Sequence, residues 1–237
     1  DGEWRPEVHA TDTLLMRSAD GVYVARPLNN PAHLAMEDYA PRQPLPYGLM
    51  QRDRRFDHYQ DLDQRLETLP DAWLVPGRGF PDGTLELLEL PLGDPFNHNV
   101  LAHWVVDSPP PPGQMLTFAY TVHWGDVRPQ PPALGRVLDV RCAAVTRPQQ
   151  VLIVQVDFSG APADGVTAPV KAQGLALEGG HIVGHSLSRA DALGQWRLTL
   201  RVAPTGRGPV VLEARLTQDG QVLTETWHGV FGPERLP

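Results

Sequence analysis

Between Gln51 and Asp61 the chain reads Gln-Arg-Asp-Arg-Arg-Phe-Asp-His-Tyr-Gln-Asp, with neither helical nor alternating apolar periodicity. Burying so many charges as a core strand would cost several kcal/mol per unpaired ion, so the segment reads as a loop. Its residue types are those that grip a sugar. Aromatic faces suit a pyranose ring, and carboxylates and guanidinium forks suit its hydroxyls. The plainer alternative is a solvated loop whose arginines pair with its own aspartates, a pattern that adds little stability. A second group is Arg5-Pro6-Glu7-Val8-His9-Ala10-Thr11-Asp12. There Glu7 and Asp12 offer two carboxylates, the usual equipment of glycoside hydrolysis, or simply an acidic turn before a strand. A third, Phe96-Asn97-His98-Asn99 with His103-Trp104, offers amides and an aromatic, but reads more simply as a turn leading into a core strand.

Other chemistries lack their residues. His9, His58, His98, His103 and Cys142 follow no metal-ligand spacing, so no metal is expected. The chain has no Gly-x-Ser-x-Gly elbow, no phosphate-binding Gly-x-x-x-x-Gly-Lys loop and no dinucleotide fingerprint, so no cofactor is expected either. A net charge of −8 argues against a nucleic-acid binder. All but one of the 20 Lys and Arg residues are arginine, which fits a GC-rich genome. Cys142 is the single cysteine, expected buried and inert in the apolar run Val137 to Val145. No stretch approaches the ~20 apolar residues of a membrane span. Asp1 reads as a cut end and the first segment as incomplete, so export is not legible from the chain itself.

The elements that must position these groups are mostly strands. Thr84 to Leu90 and Leu116 to Trp124 alternate, and Val151 to Phe158 reads as a more buried strand. Trp196 to Val202 has the apolar-in, charged-out pattern of a half-solvated antiparallel strand. Val210 to Leu216 and Gln221 to Trp227 flank an Asp219-Gly220 turn, a hairpin signature. One short helix is expected over Asp57 to Leu69, with Tyr59, Leu62, Leu66 and Leu69 on one face and Pro70 ending it. Trp73, Trp124 and Trp227 sit in strand contexts and are expected in the core. A Pro-rich linker at 128–133 would separate a first segment, 1–127, from a second, 134–237, whose size and strand rhythm suit an immunoglobulin-like sandwich.

The order of the clusters carries a resemblance. Arg5-Pro6-Glu7-Val8-His9 is followed by Arg26-Pro27-Leu28-Asn29-Asn30-Pro31, then Tyr47-Gly48-Leu49-Met50-Gln51-Arg52-Asp53-Arg54, then Phe56-Asp57-His58-Tyr59-Gln60-Asp61-Leu62. Asn97-His98-Asn99 with His103-Trp104, Thr121-Val122-His123-Trp124-Gly125-Asp126 and Leu223-Thr224-Glu225-Thr226-Trp227 complete the series. In this order the chain resembles the MdoG/OpgG and OpgD family of osmoregulated periplasmic glucan biosynthesis.

The resemblance implies an all-β fold: part of a large galactose-mutarotase-like β-sandwich, then an immunoglobulin-like β-sandwich. It also implies a periplasmic location and action on β-1,2-linked glucan by hydrolysis or transfer. Where the family reads Glu-Val-His-Asp-Ser-Asp-Gly, this chain reads Glu7-Val8-His9-Ala10-Thr11-Asp12-Thr13. Ala10 thus occupies the family's general-acid position. A methyl group transfers no proton, and general acid–base help is worth about 10²–10⁴-fold. On this reading Arg52 and Arg54 bind hydroxyls, Asp53 and Asp57 shape subsites or a proton path, and Phe56 or Tyr59 stacks on a ring. His9, His58, Gln60 and Asp61 complete the substrate-binding set. The implied partners are a β-glucan oligo- or polysaccharide and, for a non-catalytic binding or assembly factor, membrane-bound glucan synthesis machinery. The oligomeric state stays open, a homodimer included.

Overall fold

The computed structural model describes residues 10–39, 43–91, 99–146, 150–160, 167–190, 193–233 and 236. It is an all-β chain of several sheets, and among the described residues none closes into a barrel. The chain divides into two compact units: Asp1–Val22 with Pro27–Pro129, and Tyr23–Arg26 with Gln130–Pro237.

In the first unit, β1 (Thr13–Arg17), β4 (Tyr47–Met50), β5 (Asp71–Pro76) and β8 (Tyr120–Gly125) lie side by side in that order, each antiparallel to the next. A second sheet holds β3 (Ala35–Tyr39), β6 (Gly83–Glu89) and β7 (Val100–Val106). Strand alternation gives each sheet an apolar face. Leu14, Tyr47, Leu85 and Leu87 form the buried centre, with Met16, Leu49, Leu74, Ala102 and Trp104 packed against it. Gly48 is required where β4 meets β5, because a Cβ there would stand 2.2 Å from the Ala72 carbonyl oxygen.

In the second unit, β9 (Val137–Val145), β10 (Val151–Ser159), β13 (Gln195–Pro204) and β12 (Gly180–Ala190) make one sheet. The other contains β11 (Lys171–Glu178), β14 (Val210–Gln218) and β16 (Thr226–Phe231), with the short β15 (Gln221–Val222) pairing with β14. β2 (Tyr23–Pro27) runs parallel to β16 through Val24 and Ala25, so a piece of the first segment completes this unit. Leu152, Val154, Val156 and Phe158 of β10 and Leu198, Leu200 and Val202 of β13 are buried, while Arg197, Thr199 and Arg201 alternate with them. The Asp219-Gly220 turn has both residues at positive φ (50° and 80°), the type I′ geometry a two-residue hairpin needs.

Four expectations are corrected. The helix over 57–69 is reduced to one turn, α1 (Phe56–Tyr59), and a 3-10 turn at Leu66–Thr68, because Gln60 and Arg65 take left-handed backbone between them. The strand expected from Leu116 begins only at Tyr120. Trp73 and Trp227 are buried, but Trp124 is 70% exposed on β8, the last strand of its sheet. Cys142 is half-buried rather than enclosed, since β9 is an edge strand of its sheet.

Candidate functional site

The loop that follows β4 is held at its root by backbone donors and two acids, the buried Asp71 and the half-buried Asp12. Strand pairing ends at Met50, and the next N–H groups would be orphaned as the chain leaves the sheet. Gln51 N–H donates to Asp71 Oδ1 (2.6 Å), Arg52 N–H to Asp12 Oδ2 (2.6 Å), and Asp53 N–H to the same Asp12 oxygen. Thr13 Oγ1 donates to the other Asp12 oxygen (2.6 Å). Burial pushes the Asp12 carboxyl above the ordinary aspartate value, against the hydrogen bonds and the Arg52 charge that pull it down. Asp12 is therefore placed as a support for the loop, with its oxygens occupied.

Beyond the root, Asp53, Arg55 and His58 engage one another. Asp53 Oδ1 accepts from the Arg55 N–H (3.0 Å), and Asp53 Oδ2 contacts His58 Nδ1. Arg55 Nη2 lies 2.9 Å from the same His58 nitrogen. With Nδ1 protonated, the ring donates to Asp53 and leaves Nε2 as its acceptor; with Nδ1 bare, it accepts from Arg55. Arg54 donates to the Leu69 carbonyl (2.9 Å) and pairs with Asp71 (3.4 Å), which ties the loop's start to its end. Tyr59 is fully buried and donates its hydroxyl to the Asp53 carbonyl (3.0 Å), so it braces the loop and offers no face for stacking. Asp61 caps the N–H groups of Asp63 and Gln64. What faces solvent is Arg54, Arg55, Phe56 (42% exposed), Asp57 and Gln60, with Asp53 and His58 half-buried beside them.

Ala10 lies two residues before Asp12, whose N–H donates to the Met50 carbonyl (2.9 Å), so position 10 leads directly into the strand that flanks the loop. Glu7 and His9, and Phe96 to His98 of the third cluster, lie outside the described residues. Asn99 is buried, with its amide donating to the Leu90 carbonyl (3.3 Å), and Trp104 Nε1 donates to the Pro81 carbonyl (3.1 Å). Those two are structural. Among the described residues no three His, Cys, Asp or Glu side chains come together as a metal site. Sequence reading missed Asp71. It opens β5 as one acid before an apolar run, and nothing local marks it as the partner of Gln51, Arg54 and Val127.

The chain is all-β, and its acid-braced loop presents arginine, aspartate, histidine and phenylalanine. Its relatives are specific. The family model described as "Periplasmic glucan biosynthesis protein, MdoG" matches residues 1–231, and the chain belongs to that family. It is 35% identical over 94% of its length to "Glucans biosynthesis protein G" of Pseudomonas paraeruginosa. It is 33% identical over 95% of its length to "Probable glucans biosynthesis protein D" of Shewanella oneidensis. The matches cover 45% and 43% of those two proteins, so the chain spans less than half the length of these curated relatives.

Proposed function

We propose that this chain belongs to a periplasmic protein that binds β-1,2-linked glucan during glucan biosynthesis and processes it by hydrolysis or transglycosylation. The observation that carries the reading is the loop after β4: Asp53, Arg55 and His58 are interlocked, and Phe56 and Asp57 stand exposed beside them. Phe56 is the ring available for stacking on a sugar. Asp57 and Arg55 are the groups available to its hydroxyls. The family supports glucan as the ligand and the periplasm as the compartment.

Ala10 favours a second reading, in which the protein binds glucan without cutting it and presents it to membrane-bound synthesis machinery. The test is Ala10→Asp in the full-length protein. On the processing reading it raises product formation from linear β-1,2-glucan by about 10²-fold or more, the range of general-acid help. Calorimetry with β-1,2-gluco-oligosaccharides separates the two. Binding with no turnover in either form supports the non-catalytic reading, and no binding at all defeats both.

A further inference from the structure

We propose that Asp71 is a positioning residue for the 51–61 loop and acts through the Gln51 N–H and Arg54. The argument begins at the sheet edge. β4 lies between β1 and β5, and each neighbour places one aspartate beside the point where β4 ends. Asp12 precedes β1 and Asp71 opens β5. Between them they accept the N–H groups of residues 51, 52 and 53 in succession.

A strand end facing water needs no such arrangement, because solvent satisfies its donors. Here Asp71 is buried, and desolvating a carboxylate costs several kcal/mol unless the charge is paired and its oxygens are used. Both oxygens of Asp71 are used. Oδ1 takes Gln51 N–H and meets the Arg54 guanidinium, while Oδ2 accepts the Val127 N–H (2.9 Å) just beyond β8. Arg54 also donates to the Leu69 carbonyl two residues before Asp71. The loop is thereby closed into a ring at its base, with one buried charge joining its first residue, its arginine and the segment after β8. Orientation of Asp53, Arg55 and His58 follows from that closure, since each is within four residues of Arg54.

The inference rests on the glucan-binding reading only for its second measurement. Asp71→Asn keeps the volume but removes the charge, and its amide cannot accept from two N–H groups on opposite sides. In the full-length protein, trypsin cleavage after Arg55 in Asp71→Asn should be faster by about tenfold or more, the effect of losing at least one of the carboxylate's charge-assisted hydrogen bonds. Affinity for β-1,2-gluco-oligosaccharide should fall by a similar factor, about tenfold, at temperatures where the variant remains folded. Because Asp71 and Arg54 hold the same loop base, the loss in the double variant Asp71→Asn with Arg54→Met should be smaller than the sum of the two single losses. An unchanged cleavage rate, or losses that add, overturns the proposal. If the wild-type protein binds no glucan, the functional reading fails, and cleavage after Arg55 still decides the role of Asp71.

Discussion

Asp157 offers a prediction whose size and pH dependence both follow from geometry. It sits on the central strand β10 of the second unit, nearly buried, and accepts three hydrogen bonds from two arginines. Arg197 Nε and Nη2 each approach to 2.7 Å, and Arg141 Nη1 to 3.1 Å. Charge-assisted bonds are worth ~1.5–3 kcal/mol each when protected. Both guanidiniums are about half exposed (47% and 51%), so solvent screening brings the pairs toward ~1 kcal/mol apiece. Asp157→Asn should therefore destabilise this unit by ~1–3 kcal/mol at neutral pH.

Burial of Asp157 pushes its carboxyl up, but the Arg197 and Arg141 hydrogen bonds and charges outweigh it and hold the group below the ordinary value. A depressed folded-state value means the stabilisation is complete above the unfolded carboxylate value of ~3.9 and is lost as pH falls through the lower folded value. The gap between wild type and variant should be widest near neutrality and close in acid. Amide exchange on β10 and β13 is the suitable readout, because a chain of two units need not unfold in one step. A gap of equal size at about pH 7 and about pH 3, or one that widens in acid, would refute the reasoning.

Three further outcomes are expected. Gly48→Ala places a methyl 2.2 Å from the Ala72 carbonyl oxygen and 2.9 Å from Trp73 Cα, backbone that cannot yield cheaply. It should cost about 3 kcal/mol or more, seen as a lowered melting temperature or loss of soluble protein. Tyr59→Phe removes the hydroxyl that holds the Asp53 carbonyl, and should cost ~0.5–1.5 kcal/mol while speeding trypsin cleavage after Arg55. Gly220→Ala forces a side chain onto φ +80° in the β14–β15 turn, and chemical unfolding should show a loss of ~1 kcal/mol with little change elsewhere.

What could be read from the sequence was what local spacing encodes. Period-two alternation placed β6 and β13, an apolar run placed β10 and the Asp-Gly hairpin signature placed β14, each to within a few residues, because these signals need no knowledge of a strand's partner. The Asp219-Gly220 turn was legible because its backbone demands those residue types. The cluster order from Arg5 to Trp227 pointed to the glucan biosynthesis family, to which the chain belongs. Local spacing misled where tertiary packing decides. Tyr59, Leu62, Leu66 and Leu69 are spaced for a helix, yet Leu62 is 79% exposed, and left-handed backbone at Gln60 and Arg65 turns the chain to close the loop.

The site itself depended most on the fold. Sequence supplied a loop of charges that could equally grip a sugar or pair among themselves. The tertiary structure locked Asp53, Arg55 and His58 together, tied Arg54 to Leu69 and Asp71, and left Phe56, Asp57 and Gln60 facing outward beside them. It also recruited Asp12 from 40 residues upstream and Asp71 from 20 downstream to hold the loop's root. Periodicity reports which residues are buried, but a carboxylate's partner is set by which strands lie side by side, and only the folded sheet brings Asp12, Gln51 and Asp71 to one edge.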